Sequence, residues 1–134
     1  MIYLDACALL KFIKIEKETT ALRSWRARLP EGTELVTSEL ARLEVARTLR
    51  RANVDHKLVP YYAAQALRGV YTVGITATVL ARAMAYRTPK LGSLDAIHLA
   101  SAEPLRAELT DLVTYDLELA EAAAELGLPV SAPA

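Results

Sequence analysis

Residues 1–10 read MIYLDACALL, and this stretch decides the fold class. Residues 1–4 are predominantly apolar, as in a buried strand, and Asp5 follows them directly. From residue 6 to residue 15 the apolar side chains recur at helical spacing, so the chain passes from strand to helix across Asp5. A strand that leads at once into a helix predicts a β-α unit, the building block of α/β domains.

The same alternation continues along the whole chain. Further strands are predicted at residues 34–37, 70–73, 112–114 and 128–130, with helices between them. Ser38 is a plausible N-cap for the helix that follows the second strand, and Ser93 for a helix over residues 94–102. The sequence therefore predicts an α/β fold in one domain over residues 1–134, with a mostly parallel central sheet of about five strands flanked by helices.

Composition excludes several other classes of protein. The chain has 134 residues, of which 53% are hydrophobic, which is too apolar for a disordered protein. No stretch approaches the roughly 18 apolar residues of a membrane span, and no signal-peptide segment precedes Asp5, so we expect a cytoplasmic protein. The single cysteine, Cys7, excludes an internal disulfide and a cysteine-based zinc site.

Charge is balanced overall but unevenly distributed. Sixteen Lys and Arg face sixteen Asp and Glu, so no global excess of positive charge indicates nucleic-acid binding. Residues 1–67 hold 11 basic and 8 acidic side chains, against 5 and 8 in the remainder, so a polyanion would prefer the first half. One predicted helix carries a group of arginines that fits either a phosphate-binding strip or a solvated surface: Arg42, Arg47, Arg50 and Arg51.

Two acidic residues stand where predicted strands end. Asp5 closes the first strand, and Asp116 follows the fourth strand after Tyr115. Active sites of open α/β sheets form at the carboxyl ends of strands, which makes both residues candidates for chemistry. Aspartate before a helix is also a common N-cap, so a purely structural role stays open for each.

Two further acids lie inside predicted helices. Glu44 is too deep in its helix to cap it, and it either pairs with Arg47 on the surface or points towards the sheet edge. Asp95 lies in the first turn of a very apolar helix, where it either needs a partner as a buried carboxylate or interacts with the helix dipole. His98, one turn later, could orient Asp95 or be a hydrogen-bonded core residue.

Together the four acids point to a metal site. Hard oxygen ligands suit Mg²⁺ or Mn²⁺, and four clustered carboxylates without a cation would repel one another. Such an arrangement is typical of metal-assisted phosphodiester hydrolysis.

Four segments in order give a family resemblance. They are IYLDACALLK around Asp5, SELARLEV around Glu44, SLDAIHLASA around Asp95 and VTYD ending at Asp116. With the tail from Leu119 to Pro133, these segments resemble the PIN-domain ribonucleases of the VapC toxin type over essentially the whole chain.

The resemblance implies a set of site residues. Asp5, Glu44, Asp95 and Asp116 would bind Mg²⁺, or Mn²⁺, with Asp5 as the central ligand and with Ser38 and Thr114 as hydroxyl neighbours. Glu39 and Asp111 are rival carboxylates that the family spacing disfavours. Cys7 departs from the family, in which Ser or Thr is common, so a weaker thiol donor would orient Asp5.

The resemblance also implies an activity and partners. The protein would be an endoribonuclease toxin that cuts RNA, with a transfer RNA as the first expectation for the substrate. A cognate VapB-type antitoxin would wrap the toxin and insert a basic side chain into the acidic pocket, and the toxin would form a homodimer. The helix with Arg42, Arg47, Arg50 and Arg51 would then line the RNA groove.

Three alternatives remain at this point. A metal-free ribonuclease would need His56 and His98 to converge, although one lies in a loop-like segment and the other in an apolar helix. A phosphatase of the haloacid dehalogenase type would need an acid at position 7, where Cys7 stands. A non-catalytic partner-binding or autoregulatory module with the same fold is the third alternative.

Overall fold

The computed structural model describes residues 1–134, built around a parallel sheet. The strands are β1 (Ile2–Leu4), β2 (Leu35–Ser38), β3 (Val70–Val73), β4 (Asp111–Val113) and β5 (Val130–Ser131). They are ordered β3-β2-β1-β4-β5, and every neighbouring pair is parallel. All five carboxyl ends therefore lie on one edge of the sheet, and β1 is its central strand.

Helices cover both faces of this sheet. They are α1 (Ala6–Ile13), α2 (Thr19–Ala27), α3 (Leu40–Arg51), α4 (Val59–Ala66), α5 (Ala77–Ala85), α6 (Ser93–Ala102) and α7 (Leu117–Glu125). Helices α1 to α4 pack on the face that carries Leu4, whereas α6 and α7 pack on the face that carries Tyr3. The two cores follow from the alternation of side chains along β1. The predicted α/β class is therefore confirmed.

The connection from β1 to α1 shows how the sequence places the site. Asp5 accepts a hydrogen bond from the Ala8 amide at 2.9 Å through Oδ1 and thereby caps α1. The strand ends where this cap begins, so Asp5 stands at the carboxyl edge of the central strand. Leu4 before the cap and Leu9 after it are fully buried in the same core, which fixes the turn from strand to helix.

Two predicted helix caps are wrong. Ser38 belongs to β2, where it pairs with Val73, and α3 begins only at Leu40. Its hydroxyl still accepts a hydrogen bond from the Leu40 amide at 3.1 Å. Ser93 is the first residue of α6, and Gly92 occupies the cap position without a side-chain hydrogen bond.

No helix in the structure combines the length and the apolar character that crossing a bilayer requires.

Candidate active site

Four acidic side chains reach the carboxyl edge of the sheet from four separate segments. Asp5 follows β1 and Asp116 follows the neighbouring strand β4, while Glu44 comes from α3 and Asp95 from the first turn of α6. Asp95 has Asp116, Asp5 and Glu44 close enough for each negative charge to raise its pKa. The structure thus brings the four predicted acids close enough together for the other three to affect the ionisation of Asp95.

The Asp5 carboxylate is held by hydrogen bonds from two residues close to it in the sequence and from one residue that follows β4. Its carboxylate accepts hydrogen bonds from the Ala8 amide at 2.9 Å and from the Cys7 thiol at 3.0 Å, and the Thr114 hydroxyl donates to Oδ2. Asp5 is only 3% exposed, and this burial raises its pKa despite those donors. We call Asp5, Cys7 and Thr114 the Asp5 corner.

Thr114 also connects Asp5 to Asp116. Its hydroxyl oxygen accepts a hydrogen bond from the Asp116 amide at 3.0 Å. Asp116 in turn caps α7, because its Oδ1 accepts from the amides of Glu118 and Leu119 at 2.9 and 3.0 Å. Asp5 and Asp116 are therefore helix caps and neighbours at the sheet edge, and the structural role does not remove them from the site.

Glu44 is held by contacts between residues far apart in the sequence. His98 Nε2 lies 2.5 Å from Glu44 Oε1, and His98 Nδ1 lies 2.7 Å from the Tyr3 hydroxyl. The His98 side chain is 1% exposed and that of Glu44 20% exposed. We call Tyr3, Glu44 and His98 the Glu44 corner.

The Glu44 corner decides two questions that the sequence left open. Glu44 points towards α6 and the sheet edge and makes no salt bridge with Arg47. His98 is a hydrogen-bonded core residue whose acidic partner is Glu44, so the suggestion that it orients Asp95 is wrong. Helix α6 packs against both the sheet and α3. Its buried residue His98 therefore lies between Tyr3 on the sheet and Glu44 on α3.

Asp95 has the most informative electrostatic environment among the four acids. Burial first, and then the charges of Asp116 and Asp5, raise its pKa to about 6. Its charged form is therefore disfavoured in the metal-free protein, and a bound cation would reverse that preference.

The remaining predicted neighbours make no hydrogen bond with the four acids. Ser38 ends β2 at the carboxyl edge of the sheet, where it is fully buried and its hydroxyl accepts a hydrogen bond from the Leu40 amide. Glu39 is exposed just before α3, and its carboxylate makes no hydrogen bond or salt bridge with the site. Asp111 begins β4, at the opposite edge of the sheet, where its carboxylate accepts a hydrogen bond from the Ser131 hydroxyl at 2.6 Å. Asp111 therefore lies away from the acidic edge.

The donor set fits a hydrated divalent cation. No three acidic, histidine or cysteine side chains are arranged as a ready-made metal cage. Mg²⁺ needs no such cage, because it keeps several waters and is commonly held by one or two carboxylates. The charges of Asp116, Asp5 and Glu44, which add to the effect of burial in raising the pKa of Asp95, supply the negative potential that attracts such an ion.

The four predicted arginines lie on α3 and are all exposed. Arg47 and Arg51 follow Glu44 by three and seven residues, which places them on the same side of the helix as Glu44. Arg42 precedes Glu44 by two residues and lies away from that side. Arg50 contacts His56 Nδ1 at 2.7 Å, so His56 is engaged at the far end of α3 and does not approach His98.

The family model for the PIN domain matches residues 2–125 of the chain. The chain belongs to the PIN-domain family. This PIN domain is 44% identical to Ribonuclease VapC35 of Mycobacterium tuberculosis, over 99% of this chain and 97% of the relative. It is 37% identical to Ribonuclease VapC47 of the same species, with the same coverage. The resemblance to VapC-type toxins is thus confirmed.

Solved structures show the same fold for this PIN domain. VapC20 of Mycobacterium tuberculosis, a toxin that cleaves the sarcin-ricin loop, superposes with a TM-score of 0.75 at 16% identity, covering 99% of this chain and 100% of VapC20. VapBC2 from Rickettsia felis, bound to promoter DNA, gives 0.75 at 16% identity and covers both chains fully. A toxin–antitoxin complex from Klebsiella pneumoniae gives 0.65 at 21% identity, over 100% of this chain and 98% of that one.

The contact between Tyr3 and His98 is not predicted by the sequence. The sequence indicates only a strand residue at position 3, and the contact with His98 spans 95 positions. A hydroxyl on a buried strand and an imidazole in an apolar helix each need a hydrogen-bond partner, which is the one signal that the sequence contains. Nothing in the sequence identified that partner.

Proposed function

We propose that the protein is a metal-dependent endoribonuclease toxin that hydrolyses RNA phosphodiester bonds in the cytoplasm. The observation that carries this proposal is the convergence of Asp5, Glu44, Asp95 and Asp116, from four segments, at one edge of the sheet. Relatives named as ribonucleases, 37–44% identical over almost the whole chain, support the same activity.

The four acids would hold Mg²⁺, with Mn²⁺ as a substitute. When bound, the ion supplies an activated water and charge stabilisation at the leaving oxygen. Cys7 and Thr114 donate to the Asp5 carboxylate and fix its direction, and the Asp116 carboxylate is fixed by the amides at the start of α7. The chain's own contribution is therefore a set of oriented, partly desolvated oxygens.

Arg47 and Arg51 are the RNA contacts that the geometry favours most. They share a side of α3 with Glu44 and are exposed, so their guanidinium groups can bind phosphates next to the acidic edge. Arg42 and Arg50 would contact RNA only where it extends around the helix. A transfer RNA or another structured RNA is the proposed substrate.

A VapB-type antitoxin is the proposed inhibitor, and the proposed assembly of the toxin is a homodimer. Structural neighbours include VapBC2 and a toxin–antitoxin complex. A basic side chain of the antitoxin inserted among the four carboxylates would relieve the repulsion that raises the pKa of Asp95.

The proposal is tested by incubating the purified protein with total RNA in Mg²⁺, Mn²⁺ or EDTA. We expect cleavage only with a divalent ion, and products with 5′-phosphate and 3′-hydroxyl ends, because water and not the ribose hydroxyl attacks. Asp5→Asn is the inactive control. Full activity in EDTA, or 2′,3′-cyclic phosphate ends, would contradict this mechanism.

The RNA surface is tested separately with Arg47→Ala and Arg51→Ala, and Arg42→Ala is the matched control on the same helix. Lost phosphate contacts should weaken binding of RNA in EDTA for the first two variants, with a shallower dependence on salt. If all three variants keep the wild-type salt dependence, these arginines are solvated surface residues.

A non-catalytic partner-binding module is the second candidate. Such a module would have the same fold without the metal chemistry, because a fold alone does not fix a function. Calorimetry with Mg²⁺ separates the two candidates, since this module would bind neither the ion nor RNA at the acidic edge.

A further inference from the structure

A buried hydrogen-bonded chain connects the central strand to Glu44. The Tyr3 hydroxyl lies 2.7 Å from His98 Nδ1, and His98 Nε2 lies 2.5 Å from Glu44 Oε1. Tyr3 is 0% exposed and His98 1% exposed. Neither residue reaches the surface on which RNA would bind, so any effect of theirs on catalysis passes through Glu44.

The direction of the hydrogen bond between His98 and Glu44 follows from the chemistry of the two groups. An ionised carboxylate only accepts hydrogen bonds, so His98 Nε2 carries a proton and donates a hydrogen bond to Glu44 Oε1. The second ring nitrogen, Nδ1, is hydrogen-bonded to the Tyr3 hydroxyl, which can serve either as donor or as acceptor. Both ring nitrogens of His98 therefore have a partner in the chain from Tyr3 to Glu44.

We propose that Tyr3 and His98 are positioning residues for Glu44. By this inference, which rests on the proposed function, His98 holds Oε1 of Glu44 and leaves Oε2 as the oxygen available to the divalent ion. Tyr3 holds the imidazole ring in the orientation in which Nε2 faces Glu44. The arrangement follows the general rule that carboxylate ligands of metals are themselves oriented by hydrogen bonds from surrounding residues.

Tyr3 is a rigid support for His98 because of its place in the fold. It belongs to β1, which has a hydrogen-bonded strand on each side, and its ring packs edge-on against the His98 ring with centroids 5.9 Å apart. Glu44, by contrast, is a long side chain on a helix surface and has several rotatable bonds to fix. Without His98 its carboxylate would sample several positions at the acidic edge.

The same geometry keeps His98 from acting as a metal ligand itself. Both ring nitrogens are engaged, one by Tyr3 and one by Glu44. An imidazole without a free lone pair cannot coordinate an ion. His98 therefore acts on the divalent ion only indirectly, by orienting the Glu44 carboxylate.

Four variants test the assignment. His98→Leu removes both hydrogen bonds, and His98→Gln restores an N–H donor towards Glu44. Tyr3→Phe keeps the ring and removes only the hydroxyl. Leu99→Ala is the matched control, because Leu99 is a 1% exposed core residue on the same helix with no polar contact to Glu44.

The first readout is Mn²⁺ affinity of the metal-free protein, measured by calorimetry without RNA. We expect His98→Leu to weaken binding about 10- to 100-fold, the usual effect of removing a group that orients a ligand. His98→Gln should recover most of the affinity. Leu99→Ala should lose thermal stability but keep the wild-type affinity, which separates positioning from general destabilisation.

The second readout is the nitrogen NMR spectrum of the His98 ring. In the wild type we expect a proton on Nε2 that exchanges slowly with water, and in Tyr3→Phe faster exchange of that proton, because the ring has lost its second hydrogen bond. In RNA cleavage, kcat should fall for His98→Leu while KM for RNA stays within a few-fold, because the arginines that bind phosphates are untouched.

The outcomes separate this inference from the proposed function. If the affinity pattern appears but the wild type cuts no RNA, the positioning role stands and the ribonuclease proposal fails. If His98→Leu binds Mn²⁺ as tightly as the wild type, or if the wild type binds none, the positioning role is overturned. If His98→Leu does not fold, Tyr3→Phe decides, and wild-type exchange of the Nε2 proton together with wild-type Mn²⁺ affinity in that variant overturns it.

Discussion

The Asp5 corner and the Glu44 corner hold their carboxylates in different ways. Asp5 accepts from Cys7 and Ala8, two and three residues away, and needs only Thr114 from a distant segment. Glu44 depends on His98, 54 positions away, which in turn depends on Tyr3. The contacts of Asp5 with Cys7 and Ala8 form as soon as β1 turns into α1, and only Thr114 is added by the packing of β4 beside β1. The Glu44 corner, by contrast, exists only after α3 and α6 have packed against the sheet.

This difference has a consequence for stability and activity. A locally held carboxylate should tolerate a neutral substitute of the same shape, because the cap remains. A carboxylate held by a buried imidazole should tolerate only a substitute that still accepts the hydrogen bond, because a buried donor without a partner is costly.

The largest expected effect is at the Asp5 corner. Asp5→Asn should reduce RNA cleavage by at least about 100-fold, the scale seen when a group that stabilises transition-state charge is lost. Its stability should equal or exceed that of the wild type in EDTA, because burial already penalises the charge of Asp5. Urea unfolding and cleavage assays on the same preparations measure both quantities.

Asp5→Ala is the matched control for the helix cap. It removes the acceptor for the Ala8 amide and should cost about 1 kcal/mol of unfolding free energy. A strongly destabilised Asp5→Asn whose loss does not depend on metal would mean that Asp5 is mainly a structural cap.

At the Glu44 corner we expect a large effect on stability. Glu44→Ala leaves the buried Nε2–H of His98 without an acceptor and should lower the unfolding free energy by about 1–3 kcal/mol. Glu44→Gln keeps an acceptor oxygen and should be much less destabilised, although it loses the charge that binds metal. Equal stability of the two variants would show that the contact with His98 contributes little to folding.

A pH-dependent effect is expected at Asp95, between the two corners. Burial and the neighbouring negative charges raise its folded-state pKa to about 6, above the ordinary aspartate value of 3.8, so the native state keeps the proton of Asp95 to a higher pH than the unfolded state does. The free-energy cost of ionising Asp95 in the folded protein is absent below the pKa that Asp95 has in the unfolded chain. This cost grows as the pH rises from that value to the folded-state pKa. Asp95→Asn should stabilise the metal-free protein by about 1 kcal/mol at pH 7, discounted for solvent screening, and hardly at all below pH 3.8.

Urea titrations in EDTA at several pH values between 3 and 8 measure this difference. Saturating Mg²⁺ should abolish the advantage of Asp95→Asn, because the wild type then gains binding energy that the variant lacks. A stability difference that is constant across this pH range would assign it to packing instead of charge.

The smallest effect is expected for Cys7→Ser. The hydroxyl is a better donor to Asp5 than the thiol, which lies 3.0 and 3.2 Å from the two carboxylate oxygens. We expect the pKa of Asp5 to fall slightly and the unfolding free energy to change by less than about 1 kcal/mol. NMR titration of the Asp5 carboxyl in the wild type and in Cys7→Ser measures the change in pKa. A large loss of RNA cleavage in Cys7→Ser would mean that the thiol has a role of its own.

The fold class could be predicted from the sequence, and so could the four acids as candidates for the site. Apolar periodicity and strand-end aspartates are local properties, so the strand β3 is predicted with its observed bounds, and Asp5 and Asp116 with their positions. The end of β2 was predicted wrongly, because Ser38 is kept in the strand by pairing with Val73, a contact with another segment.

Only the tertiary structure decided which residues hold Glu44. The helix periodicity of α3 allowed either a pair with Arg47 or a contact across to α6, and the two differ by little in local energy. The outcome depends on burying His98 between β1 and α3, where its two nitrogens need two partners that the chain supplies from positions 3 and 44. Burial makes that requirement strict, and no local pattern in the sequence encodes it.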